Sequence, residues 1–247
     1  MTQAHLLDNL AAQWASLGAM FAIDATPEHA DLECLLLDTA RGSHVNSRFV
    51  EMAVTWLTYY GDYVATHRLA RLILDELERE HRPALGLILE TAQSHRRDRR
   101  FNKAIEACGQ AIDARPLYEI DRRNTFFTRL AEQNASALSR KWGRWAGEIG
   151  LKTNALRPAY WVAEHNPHLR LRVLCSSDVA ASMIAEAQSQ GGTLRYASEL
   201  DVSRDFVASR GAVRDAINRL EHAGLLRREH DGRRTRFEIS IPLIAAG

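Results

Sequence analysis

The sequence has no apolar run approaching the roughly 18 residues that a membrane span requires, and its opening, MTQAHLLDNLAAQW, carries no basic segment followed by an apolar stretch. The expectation is a soluble, cytoplasmic chain with no membrane association. Cysteine is scarce: Cys34, Cys108 and Cys175 lie far apart, are odd in number and form no Cys-x-x-Cys pair, which argues against a disulfide framework and predicts free, buried thiols. Lysine is scarcer than arginine, with Lys103, Lys141 and Lys152 as its only representatives. The patterns in which spacing itself implies chemistry are missing, including a Gly-rich phosphate loop, His-Glu-x-x-His and Gly-x-Ser-x-Gly. His165 and His168 flank Asn166-Pro167, but a proline there breaks the helix that would align them as metal ligands. The expectation is therefore a protein that is not an enzyme, with no cofactor and no metal site.

What is present is enough apolar side chain, 46% of 247 residues, to fill two ordinary cores. Tryptophan stops at Trp161, and Pro158 and Pro167 punctuate the same region, so a boundary is expected near residues 165–176. The expected domains are residues 1–168, an α-helical dimerisation and sensing domain, and residues 176–247. In the first, apolar residues recur at spacings of three and four in AHLLDNLAAQWASLGAMF, NSRFVEMAVTWLTYYGDYVATHRLARLILDEL, PALGLILETAQ and FNKAIEACGQAI, the period of one buried helix face. Asn46 or Ser47 can cap the second of these, and only LECLLLD is ambiguous between helix and strand. The expected fold class is mainly α, beginning with a helical bundle or solenoid-like domain.

From Ser176 the pattern becomes more specific. Ser177 and Asp178 can cap a helix DVAASMIAEAQSQ that Gly191-Gly192 ends, and TLR is an extended link. Ser198 opens a second helix, with Glu199 and Asp201 in its first turn, where the helix dipole favours negative charge. Ser209 opens a third, in which Val213, Ala216, Ile217 and Leu220 fall at i, i+3, i+4 and i+7 and must pack inward. That packing forces Arg210, Gly211, Arg214, Asp215 and Asn218 outward, a slim surface of hydrogen-bonding groups suited to a major groove about 12 Å wide. After Gly224, residues 225–228 and 235–239 read as strands around Asp231-Gly232, a dipeptide suited to tight hairpins. The hairpin would carry Arg227, Arg228, Arg233, Arg234 and Arg236.

The stretch DVSRDFVASRGAVRDAINRLEHAGLLRRE, residues 201–229, resembles the second helix, turn, recognition helix and first wing strand of bacterial winged helix-turn-helix regulators of the GntR and MarR types. The resemblance implies a winged helix of three helices plus a β-hairpin wing. It also implies that Ser209, Arg210 and Arg214 touch phosphate or bases, while the wing arginines follow the backbone or the minor groove. Function on this reading is sequence-specific binding of double-stranded DNA by a homodimeric transcriptional repressor.

Two basic clusters lie outside that region. Residues 94–103 hold Arg96, Arg97, Arg99, Arg100 and Lys103, and residues 139–145 interleave Arg140, Lys141 and Arg144 with Trp142 and Trp145. The plain readings are a solvated loop and core tryptophans; the sharper one is a second phosphate-binding surface. Two other functions stay open: an antitoxin-like or defence-associated adaptor whose helical domain holds a protein partner while the winged helix autoregulates its operon, and an unfamiliar enzymatic activity in the helical domain.

Overall fold

The computed structural model describes residues 3–23, 30–111, 113–174, 178–231 and 234–241. The chain is mainly helical, with a small three-stranded antiparallel sheet near its end. It folds as two compact units, Met1–Gly61 with Leu72–His165, and Asp62–Arg71 with Asn166–Gly247. Among the described residues no helix is long and apolar enough to cross a membrane.

The first unit contains α1 (Gln3–Ser16), α2 (Leu32–Gly42), α3 (Ser47–Tyr60), most of whose inner face is fully buried, and the end of α4 (Thr66–Asp75). It continues through α5 (Arg82–Arg96), α6 (Asn102–Cys108), β1 (Arg115–Pro116), α7 (Thr125–Gln133), α8 (Ala137–Lys141), β2 (Arg144–Trp145) and α9 (Ala159–His165). Asn46 caps α3, its side chain accepting from the Arg48 amide at 2.9 Å. The ambiguous LECLLLD stretch is helical, within α2, capped by Asp31. The long segment from residue 46 to 77 is not one helix, because Gly61–Tyr63 forms a tight 3-10 turn between α3 and α4.

Trp14 and Trp56 meet edge to face at 5.9 Å in the core of this unit, both wholly buried. Each indole satisfies its donor, Trp14 to Thr39 Oγ1 and Trp56 to the Leu17 carbonyl, both at 2.9 Å, as a buried N–H must. Trp142 lies across α5 at Gly86, where a Cβ would come within 2.3 Å of the indole ring. The helix therefore carries its least favourable ordinary residue at this position for the sake of close packing. Cys108 is buried and Cys34 half-buried, and neither is in a disulfide; Cys175 lies outside the described residues.

The second unit contains the start of α4, then α10 (Pro167–Leu174), α11 (Asp178–Ser189), β3 (Thr193–Tyr196), α12 (Glu199–Asp205), α13 (Arg210–His222), β4 (Leu226–Asp231) and β5 (Arg234–Ser240). The strands are ordered β3-β5-β4, all antiparallel, with Leu194 opposite Ile239, Leu226 opposite Ile239 and Asp231 opposite Arg234. The last register leaves a two-residue connection, residues 232 and 233, outside the described set, as is the expected capping residue Ser177. Val179, Met183, Ile184, Val202, Phe206, Val213, Ile217, Leu220, Phe237 and Ile239 pack into one cluster. Burial of each large aliphatic side chain contributes about 1.5–3 kcal/mol.

Candidate nucleic-acid interface

Three caps fix the local geometry. Ser198 Oγ accepts from the Asp201 amide at the start of α12, and Ser209 Oγ accepts from the Ala212 amide at the start of α13, both at 3.3 Å. At the far end of α13, Gly224 adopts a φ of +70°, which lets the Leu225 amide reach back to the Leu220 carbonyl at 2.9 Å and stops the helix. Between α12 and α13 the chain turns in four residues, 206–209. Phe206 is wholly buried and anchors the turn, while Ser203 Oγ donates to the Ala208 carbonyl at 2.6 Å. Val207 sits in that turn with a φ of +44°, unusual for a β-branched residue.

Val213, Ala216, Ile217 and Leu220 are all fully buried, and Arg210, Gly211, Arg214, Asp215 and Asn218 are all exposed. A Cβ at Gly211 would meet nothing within 4 Å, so no contact inside the chain requires a glycine there. Arg214 makes a long 3.5 Å ion pair with Glu199 of α12 while its side chain stays 66% exposed. Arg219 is bound to Asp215 one turn earlier at 2.9 Å.

Arg228 ties the hairpin to α13. Arg228 donates to Glu221 Oε2 at 2.9 Å and to Asn218 Oδ1, and its guanidinium lies 6.0 Å over the Phe237 ring. Asn218 and Arg228, expected as separate contacts, thus hold each other. Arg227 and Arg236 are exposed on neighbouring strands. Arg233, together with the side chain of Arg234, lies outside the described residues. Arg195 on β3, not singled out from the sequence, is exposed and paired loosely with Glu238 at 3.3 Å; the alternation of exposed and buried residues along Thr193–Tyr196 could have found it.

The unit also contains a stretch remote in sequence. His67 Nδ1 lies 2.6 Å from the carbonyl of Phe206, the residue that anchors the turn. Arg68 and Arg71 both bind the Glu186 carboxylate of α11, which also accepts from Gln190 at 2.9 Å. Burial by itself would raise the Glu186 pKa, but the Gln190 hydrogen bond and the two guanidinium charges outweigh it and hold the group below the usual carboxylate value.

The two other basic clusters are engaged within the first unit. Arg96 binds Asp98 at 2.7 Å and the Thr58 carbonyl, and Arg100 binds the Gly61 carbonyl at 2.8 Å, while Arg97, Arg99 and Lys103 are exposed. Arg140 donates to the Glu132 and Gln133 carbonyls at the end of α7 and to the Ala135 carbonyl just beyond it, and Lys141 and the Trp142 indole share Glu90. Arg144 is almost wholly buried among the Glu80, Asp113 and Gly143 carbonyls. Trp142 is buried and Trp145 half-buried. His165 stacks on Trp161 at 3.9 Å, and no group of three metal-ligating side chains occurs among the described residues. Compared with known proteins, the chain matches no family model, no curated protein and no solved structure.

Proposed function

We propose that residues 176–247 form a winged helix-turn-helix that binds double-stranded DNA, and that the protein is a homodimeric transcriptional repressor. The observation that carries this reading is the four-residue turn into α13, whose apolar face is sealed in the core and whose opposite face offers Arg210, Gly211 and Arg214 to solvent. Two helices joined by so short a turn, the second free on its outer side, suit insertion of that second helix into a major groove. The slim start at Gly211-Ala212 supports close approach to base edges. Arg227 and Arg236 on the adjoining hairpin add phosphate affinity without reading sequence.

Dimerisation belongs to the helical unit on this reading. There α7 has no buried residue, and Phe126, Phe127 and Leu130, with Ile120 just before, are exposed. The same face favours the adaptor reading, in which a protein partner covers it; sedimentation of the purified protein alone distinguishes a dimer from a monomer awaiting a partner. The direct test of the main reading is selection of genomic fragments by the full chain, followed by mobility-shift titration over a salt series. The expected result is one enriched inverted repeat with half-sites about one helical turn apart and a steep fall of affinity with salt. Absence of any sequence-selective shift at low salt refutes it.

A further inference from the structure

The first unit encloses a recess of about 230 Å³ whose walls are unusually cationic. Strands β1 and β2 pair in parallel, with Arg115 directly opposite Arg144. Like charges placed across a strand pair are destabilising. Arg122 brings a third guanidinium, held by the Pro116 and Leu117 carbonyls at 2.9 and 3.0 Å. His44, His81 and Glu80 also line it, and a backbone bond from the Glu119 amide to the His44 carbonyl joins the end of α2 to the turn that carries Arg122.

Acidic compensation is incomplete. Asp113 pairs with two of the guanidiniums, Arg144 at 3.2 Å and Arg115 at 3.3 Å, and half of its side chain is exposed. Glu80 is an exposed residue of the lining, 3.5 Å from His81 Nε2, and Glu119 and Glu78 act only from farther off. Burial and then the Arg115 charge pull Arg122 below its ordinary pKa. For Arg144, burial together with the Arg115 and Arg122 charges outweighs the pull of Asp113, again lowering the pKa. Arg115 Nε is buried with no hydrogen-bond acceptor among the described residues, a costly arrangement for a charged donor. Helix α5 starts at this recess with neither a side-chain cap nor an acid in its first turn.

We propose that this recess is a binding site for a small phosphate-bearing ligand, with Arg115 and Arg122 donating to the phosphate oxygens and Arg144 fixing the wall behind them. The volume is below the roughly 300–1,000 Å³ of pockets for drug-sized molecules, which suits inorganic phosphate or a short phosphate monoester. This site is independent of the DNA-binding reading.

The test is calorimetric and thermal-shift titration of the full chain with sodium phosphate and with glycerol 3-phosphate, against sodium chloride at equal ionic strength. Saturable binding is expected with at least one of the two, and the tighter one identifies the free ion or the ester. Arg115→Gln and Arg122→Gln should weaken it about tenfold or more, as loss of a charge-assisted hydrogen bond does. Glu80→Gln, which removes an exposed negative charge, should tighten it and remains informative if an arginine variant fails to fold. Arg214→Ala should leave it unchanged, separating this site from the α13 surface. No saturable binding by the unaltered chain, or binding indifferent to the Arg115, Arg122 and Glu80 changes, overturns the proposal.

Discussion

Replacing Arg214 by alanine separates a role in holding the fold from a role in gripping DNA. Its guanidinium pairs with Glu199 at 3.5 Å, with most of the arginine side chain in solvent. Two unit charges at that distance interact by about 1 kcal/mol in bulk water, and exposed pairs of this kind contribute about 0.2–1 kcal/mol to stability. Arg214→Ala should therefore lower stability in urea by no more than that. Loss of a base-reading arginine, by contrast, costs about 1–3 kcal/mol of binding, an affinity drop of about 5- to 150-fold, and relaxes preference at one base pair. Glu199→Gln is the matching control. It frees the guanidinium without altering the α13 surface, and affinity should rise by up to about fivefold, as expected when a competing pair worth at most about 1 kcal/mol is removed. The assay is a mobility-shift titration of both variants and the double variant on the selected site, with denaturation curves alongside. Unchanged DNA affinity in Arg214→Ala with intact folding refutes the assignment of Arg214 as a base-reading residue. A loss of stability well beyond about 1 kcal/mol would show instead that the pair is structural.

Three further outcomes are expected. Ile217→Ala, at a wholly buried position on α13, should destabilise by about 2–5 kcal/mol in chemical denaturation; a cost below about 1 kcal/mol would mean that this face is not packed. Val207→Gly should raise stability, by up to about 1 kcal/mol, because glycine accepts the left-handed conformation that valine adopts with strain; a lower melting temperature contradicts that account of the turn. For Glu186 the folded pKa is depressed, so its contribution is fully present above the unfolded carboxylate value and is lost as pH falls through the folded one, from about pH 5 downward. Glu186→Ala should cost about 3–5 kcal/mol at neutral pH by removing the carboxylate that the buried Arg68 binds, and the gap between variant and parent should narrow in acid; a gap constant from about pH 7 to about pH 3 refutes the ion-pair explanation.

Local patterns were legible in the sequence wherever one element's own period or cap decided the outcome. The spacing of Val213, Ala216, Ile217 and Leu220 sufficed to orient α13, since one side of a helix that short can reach a core. Asn46 was readable as a cap because its oxygen satisfies an amide two residues away. What escaped was set by residues distant in the chain. Arg140 and Arg144 looked like free cations beside tryptophans, but a guanidinium has five donors, and backbone carbonyls leave no mark in a sequence. The pairing of Arg115 with Arg144 joins two short strands, neither with any alternation to read. LECLLLD was ambiguous for another reason: a short apolar run buried on most sides has no distinguishing period.

Grouping Asp62–Arg71 with Asn166–Gly247 has a practical consequence for anyone wishing to graft the proposed DNA-binding module onto another protein. A transplant cut as one continuous cassette would leave behind His67, Arg68 and Arg71, stripping the acceptor at Phe206 of its imidazole and abandoning an acid in the graft's interior. The heritable unit of this architecture is therefore stitched from two pieces of the gene, and recombination that respects only the later boundary would break it.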